Sequence, residues 1–316
     1  MGKKKGKKKA RKARKERRAA DKAAEKAAVD AVVAKVEELT LRVKNELDTS
    51  DLFAPPPPKQ ECPICFLPMI GTLQDARYME CCGQLICYGC DKENHRVIDA
   101  TNSKKKEKEK QTGTKAIMVV HSCAFCREPV STSGEERILR LEKRMEADDP
   151  LAYSHVASRY RSGIWGLQAD GLKALELFHR AAELGVPDAF VYIGAYYEEG
   201  TIVKKDPAKA RACFSIAATK GSIWAKHSLG FFEYLQGNTV IALRHWRLSA
   251  AAGYKASLDR LRVELGKGNV SRDEYAATLQ SFLTSHDEMK SEARDREEKR
   301  LEVLEMKREA RDSECK

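Results

Sequence analysis

Eight of the ten cysteines fall between Cys62 and Cys126, and six of them form three Cys-x-x-Cys pairs: Cys62/Cys65, Cys87/Cys90 and Cys123/Cys126. A two-residue gap lets both thiolates of a tight turn face one ion, at Zn–S distances of about 2.3 Å. Pro63 and Gly89, inside two of the gaps, suit such a turn. Cys81-Cys82, just before Gly83, brings the sulfur count to eight, enough for two closed tetrahedral sites holding two Zn2+ ions. Closed sites are structural, with no open position for a catalytic water. Adjacent ligands are constrained in reaching one ion, so His95 and His121 stand as alternatives to Cys81. Cys213 and Cys315 lie outside this framework.

Other chemistries lack their signatures. The chain has no phosphate-binding glycine loop, no Gly-x-Ser-x-Gly elbow and no Cys-x-x-Cys beyond the cysteine-rich region, which argues against kinase, hydrolase and redox-enzyme readings.

The order Cys62-Pro-Ile-Cys65, Cys82-Gly-Gln-Leu-Ile-Cys87-Tyr-Gly-Cys90 and Cys123-Ala-Phe-Cys126-Arg127 resembles an all-cysteine RING-type zinc finger over residues 61–130. The resemblance implies an interleaved pairing, with Cys62, Cys65, Cys87 and Cys90 on one ion and Cys81, Cys82, Cys123 and Cys126 on the other. It also implies a ubiquitin ligase without a nucleophile, which docks a ubiquitin-charged conjugating enzyme and acts by positioning. Ile64 and Pro129 would contact that enzyme, and Arg127 would be the linchpin bridging it to ubiquitin through a planar, five-donor guanidinium. Ala124, where active members commonly carry Pro, and Asn94, where many have Trp, depart from the pattern.

The elements that must hold this module come next. From residue 149 the chain repeats at a period of 36, aligning Phe178 with Phe214, Ala181-Ala182 with Ala217-Ala218, Gly185 with Gly221 and Gly194 with Gly230. A shorter copy places Trp246, Ser249-Ala250 and Gly253 on Phe214, Ala217-Ala218 and Gly221. Each copy reads as two helices, the first over about 189–197 and the second opening at Asp206-Pro207, with the aromatics between layers. Asp206-Pro-Ala-Lys209-Ala210 followed by Phe214-x-x-Ala217-Ala218-x-x-Gly221 resembles the Sel1-like repeat. That resemblance implies a protein-binding solenoid whose concave face is lined by first helices, with Tyr192, Tyr196, Phe231 and Tyr234 as candidate recognition residues. The third copy lacks the connector seen at 200–206, so its inter-helix turn is expected to be short.

The expected fold is mostly α: a small zinc-stabilised RING domain joined to a short α-solenoid of helix-turn-helix repeats, with helical flanking segments. Its divisions are a disordered basic arm (1–18), a helix that could form a coiled coil (19–50), a Pro-rich linker (51–60) and the zinc module (61–130), with a disordered Lys-rich insertion over 99–116. A linker or capping helix (131–148), the repeats (149–260) and a capping helix with charged tail (268–316) follow. Val29, Val32, Val36, Leu39 and Val43 form a seam about two heptads long, equally suited to folding onto the solenoid. Ser133-x-x-Glu136 and Ser271-x-x-Glu274 are capping-box signatures.

Charge is concentrated at one end. Residues 1–18 hold twelve Lys/Arg against Glu16 alone, which accounts for the whole net charge of +11. The arm fits weak, nonspecific RNA contact or an import receptor, without the interleaved aromatics that base stacking needs. No run of 18 apolar residues spans a membrane, and no apolar segment follows the basic start, so a nuclear or cytoplasmic, non-secreted protein is expected. Two functions are carried forward: a RING-type ubiquitin ligase whose repeats recruit a protein substrate, and a noncatalytic zinc-binding adaptor, associated with RNA through the basic arm or not.

Overall fold

The computed structural model describes residues 2–47, 49–55, 59–69, 76–115, 117–291 and 295–296. Among them are eleven α-helices, one 3₁₀ turn and a two-stranded sheet. The helices of the repeat region are 12 or 13 residues long and sharply bounded: α4 Pro150–Ser162, α5 Gly171–Glu183, α6 Pro187–Glu199, α7 Pro207–Thr219, α8 Ile223–Leu235, α9 Thr239–Ala251 and α10 Lys255–Gly266. Asp149, Asp170, Asp206 and Ser222 cap their N-termini through the side chain, and Gly163 and Gly200 end α4 and α6 in the left-handed conformation.

Successive helices pack in pairs, α4 on α5, α6 on α7 and α8 on α9, and each pair stacks on the next. Phe178, Phe214 and Trp246 are buried between them. The repeat glycines make room for the last two: a Cβ on Gly194 would lie 2.7 Å from the Phe214 ring, and one on Gly230 2.6 Å from Trp246 Nε1. The short turn expected in the third copy is present, with three residues between Leu235 and Thr239. The solenoid runs further than 260. Helix α10 and α11, Arg272–Glu288, form a fourth pair on α9, with α11 opened by a full Ser271/Glu274 capping box. At the other end, α3, Gly134–Glu146, packs on α4, but Ser133 makes only half a box. The Glu136 carboxylate turns to Ser131 and Arg140 instead.

The N-terminal segment is a strap. Helix α1 spans Gly2–Glu46, and Val32, Val36, Leu39 and Val43 are buried against the second helices α5 and α7. Each such side chain contributes roughly 1.5–3 kcal/mol, so the seam finds its partner within the chain rather than in a coiled coil. Glu37 pairs with Lys209 at 2.6 Å, and Lys35 O meets His179 Nε2 at 3.1 Å. The 3₁₀ turn Thr49–Phe53 continues onto α7 and α9, where Phe53 stacks on His245 and the buried Lys226 donates to Ala54 O. Lys59 then reaches Ser285 and Glu288 of α11. Residues 51–54 are therefore docked rather than linker, and prolines 56–58 lie outside the described residues.

Two segments expected to be disordered are helical. The basic arm continues α1, and residues 99–112 continue α2, Tyr88–Thr112, which Gly113 ends at φ 69°. Lys, Arg, Glu and Ala are strong helix formers, and a helix already nucleated by packing extends at little cost. Beyond residue 291 only 295–296 are described, so the charged tail and Cys315 lie outside the described residues.

Candidate metal centre

The cysteine module hangs on one hairpin and one helix. Strands β1, Ala76–Tyr78, and β2, Leu85–Cys87, pair antiparallel with Tyr78 opposite Leu85 and Ala76 opposite Cys87. Cys81 and Cys82 sit in the intervening loop, which is closed by Met79 N to Gln84 O at 2.9 Å and Gly83 N to Met79 O at 2.8 Å. Gly83 takes φ +73°, which turns the chain directly after the adjacent pair. Cys87 ends β2 and N-caps α2, which presents Cys90 one turn on. The buried carboxylate of Asp91 accepts from Arg77 at 2.7 Å and ties α2 to β1.

Cys62/Cys65 and Cys123/Cys126 occupy two turns with the same hydrogen-bond plan. Phe66 N donates to Cys62 O and Arg127 N to Cys123 O; Cys62 N donates to Leu67 O and Cys123 N to Glu128 O. Bridges Glu61–Pro68 and Ser122–Pro129 close both, and Phe66 and Arg127 both take positive φ, 58° and 66°. The shared pattern Cys-x-x-Cys-x-x-Pro, at 62–68 and 123–129, was the sequence signal for this duplication.

These turns bring the eight sulfurs into two groups, Cys62, Cys65, Cys87, Cys90 and Cys81, Cys82, Cys123, Cys126, each with all Sγ atoms within 4.8 Å of one another. The pairing alternates along the chain, so each group crosses the other. Individual separations are 3.8 Å for Cys65–Cys87, 3.9 Å for Cys82–Cys123 and 3.4 Å for Cys81–Cys126. Four Zn–S bonds of about 2.3 Å define a tetrahedron with edges of about 3.8 Å, so both groups fit such an ion. The thiols also oppose one another's ionisation: hydrogen bonds from Cys87 and Cys90 hold Cys62 far below the usual thiol range, while bonds to Cys62 and Cys87 push Cys90 far above it. Burial pushes Cys82 up to about 11. A divalent cation in each group would remove that conflict by stabilising every thiolate at once.

Cys81, not a histidine, completes the second group. His95 and His121 stack on each other at 4.7 Å and face Asp91 and Asp99 on α2.

Of the other residues singled out, Ile64 is half-buried against the first cluster, and Arg127 and Pro129 are exposed in the second turn. Arg127 Nη1 donates to Asn94 Oδ1 at 3.3 Å, and Asn94 Nδ2 donates to Ser122 O at 2.8 Å, so Asn94 links α2 to the turn that carries Arg127. Pro129 O accepts from Arg140 of α3 at 2.8 Å. Phe66 and Phe125, which sequence reasoning passed over, are 71% and 46% exposed, one on each turn. In the repeats, Tyr196 is buried, Tyr192 stacks on Phe178 at 4.3 Å, and Phe231 and Tyr234 pack onto the core. Core packing therefore uses the four aromatics proposed for recognition.

The hairpin seats the module on the solenoid. Tyr78 donates to Asp149 Oδ2 at 2.6 Å while Asp149 Oδ1 caps α4 through Leu151 N at 3.1 Å. Tyr78 also stacks on His155, and Arg137 pairs with Glu80 at 3.3 Å. A Cβ on Gly83 would come within 2.2 Å of Arg144 Nη2. Burial next to Arg159 pulls His155 down to about 4, despite Asp149.

The Sel1 repeat family model matches residues 150–186 and 188–222. Among solved structures, a Sel1 repeat protein from Oxalobacter formigenes is similar at 24% identity and TM-score 0.44, over 49% of this chain and 66% of that one. A protective antigen present in uropathogenic Escherichia coli strains, c5321, displaying an SLR fold, is similar at 25% identity and TM-score 0.42, over 50% and 35%. The chain thus spans less than two thirds of either structure's length. Immunity protein Pa5087 from Pseudomonas aeruginosa matches at 19% identity and TM-score 0.30, over 53% of this chain and 80% of that one. No curated protein matches the sequence.

Proposed function

We propose that the chain is a zinc-dependent ubiquitin ligase of RING type, in which the repeats hold a protein substrate and the cysteine module positions a ubiquitin-charged conjugating enzyme. The observation that carries this reading is the alternating pair of four-sulfur groups, whose two like turns display side chains on the surface. Zinc would supply the cross-links that fix those turns, through the eight cysteines, and would take no part in the transfer itself. Ile64, Phe66 and Phe125 offer apolar contact to the conjugating enzyme, beside Pro129. Arg127 releases Asn94 and donates to ubiquitin and the enzyme together, which restricts the thioester to reactive orientations. Sel1-type repeats are protein-binding scaffolds, and the seating of Tyr78 on Asp149 and His155 holds substrate and conjugating enzyme in one frame.

One observation favours the noncatalytic adaptor: the Arg127–Asn94 hydrogen bond engages the guanidinium within the chain. Discharge of ubiquitin from a charged conjugating enzyme to free lysine separates the readings. Acceleration by the zinc-loaded chain, lost in Arg127→Ala, supports the ligase; binding without acceleration supports the adaptor.

A further inference from the structure

After Gly113 the chain returns antiparallel to α2 as an extended segment, Ile117-Met118-Val119-Val120, and enters the second cysteine turn. It is anchored along one edge only. Asn102 Nδ2 donates to Val119 O at 2.9 Å, Val119 N donates to Asn102 Oδ1 at 2.7 Å, and Lys105 Nζ donates to Ile117 O at 2.8 Å. His121 O, in the same parity, accepts from Val130 N at 2.8 Å. In extended chain, main-chain groups of alternate residues point to opposite edges. The N–H and C=O of Met118 and Val120 therefore face away from α2, and they make no hydrogen bond among the described residues. The side chains are as open as the edge, with Ile117 87%, Val120 65% and Val119 37% exposed. A run of four β-prone apolar residues with a free edge is a template for strand pairing.

We infer that this edge is a docking site for an extended segment of another protein, which adds to it as an antiparallel strand. Charge selects the occupant. Residues 104–115 carry six lysines against two glutamates, on the stem of α2 and the turn that flank the segment's anchored edge. A second copy of the chain would bring a second such basic segment to the same short strand pair, whereas a strand with alternating apolar residues and acidic flanks gains from the one already there. Main-chain pairing supplies the affinity and the Lys-rich stem the preference for acidic flanks. The inference stands independently of ligase activity.

The test uses the full chain and a fluorescein-labelled peptide, Asp-Glu-Val-Thr-Val-Thr-Val-Glu-Asp, followed by anisotropy. Saturable binding is expected, weakened several-fold on going from low to physiological salt. Methylating alternate amide nitrogens of the peptide blocks its pairing edge and leaves the protein untouched; a loss of roughly tenfold or more is expected, the scale of one to two hydrogen bonds. Met118→Pro removes an outward N–H and keeps its neighbour extended, and it should weaken binding similarly. Absence of binding, or binding indifferent to both changes, would overturn the inference. So would a dimer of the chain, seen by sedimentation, that Met118→Pro dissociates, because the edge would then belong to a second copy.

Discussion

Cys81 and Cys82 illustrate what residue types and spacing can reveal. Thiolates with two residues between them announce a metal turn on their own, because the chemistry is local, and an adjacent pair does not. The loop 79–84, turned by Gly83, is what allows Cys81 to sit 3.4 Å from Cys126. Cys81→Ser should therefore cost one of two zinc ions per chain by elemental analysis, while His95→Ala and His121→Ala should retain both; zinc loss in a histidine variant would return that residue to the ligand set. Contacts between residues remote in sequence carried no such signal. Asn94 with Arg127, Gly83 with Arg144, and the double use of Asp149 by Leu151 and Tyr78 depend on how separate elements meet. Tyr78→Phe tests the last of these: it leaves a half-satisfied carboxylate and should cost about 1–2 kcal/mol in denaturant unfolding.

Helices α4 to α9 were legible because caps, repeat glycines and interlayer aromatics recur at fixed intervals. The Gly–aromatic contacts make a sharp prediction at this scale. Gly230→Ala forces a methyl against the rigid Trp246 ring and should lower stability by about 1–3 kcal/mol. Gly266→Ala, at the end of α10 with nothing within 4 Å, should instead be neutral or stabilising by up to about 1 kcal/mol. Thermal melts of both variants check the pair, and equal effects would contradict the packing described. Helix α11 was legible as a capping helix from Ser271-x-x-Glu274, but its pairing with α10 was not, because the repeat's spacing of glycine and aromatic stops before it; Leu258 and Leu261 pack there with Tyr275 and Phe282. Polarity misled in the opposite direction for α2, whose Lys/Glu stem was expected to be disordered and is a solvated helix without a buried residue beyond Ile98.

Across the whole molecule, a strap and a hairpin bind the modules together: residues 32–47, 49–55 and Lys59 reach α5, α7, α9 and α11, and Tyr78 to Gly83 seat on α3 and α4. That arrangement was legible only as the alternative uses of a Val/Leu seam, because a two-heptad pattern does not name its partner. It also places histidines at the joints, His155 under Tyr78 and His245 under Phe53, while His227 lies within the solenoid against Ser257. Burial holds His155, His227 and His245 down at about 4, against about 6.5 in an unfolded chain. The unfolded state then binds more protons in that interval, so stability is complete above about pH 6.5 and is lost as pH falls through 4. Urea midpoints between pH 7 and pH 4.5 should fall accordingly, and His245→Phe, which preserves stacking on Phe53, should flatten part of the decline. The most direct test of the central claim is ubiquitin discharge from a panel of charged conjugating enzymes by the zinc-loaded full-length chain, with Arg127→Ala in parallel. Acceleration with at least one enzyme and its loss in the variant are expected; no acceleration across the panel, with two zinc ions bound and the helical signal intact, would contradict the ligase reading.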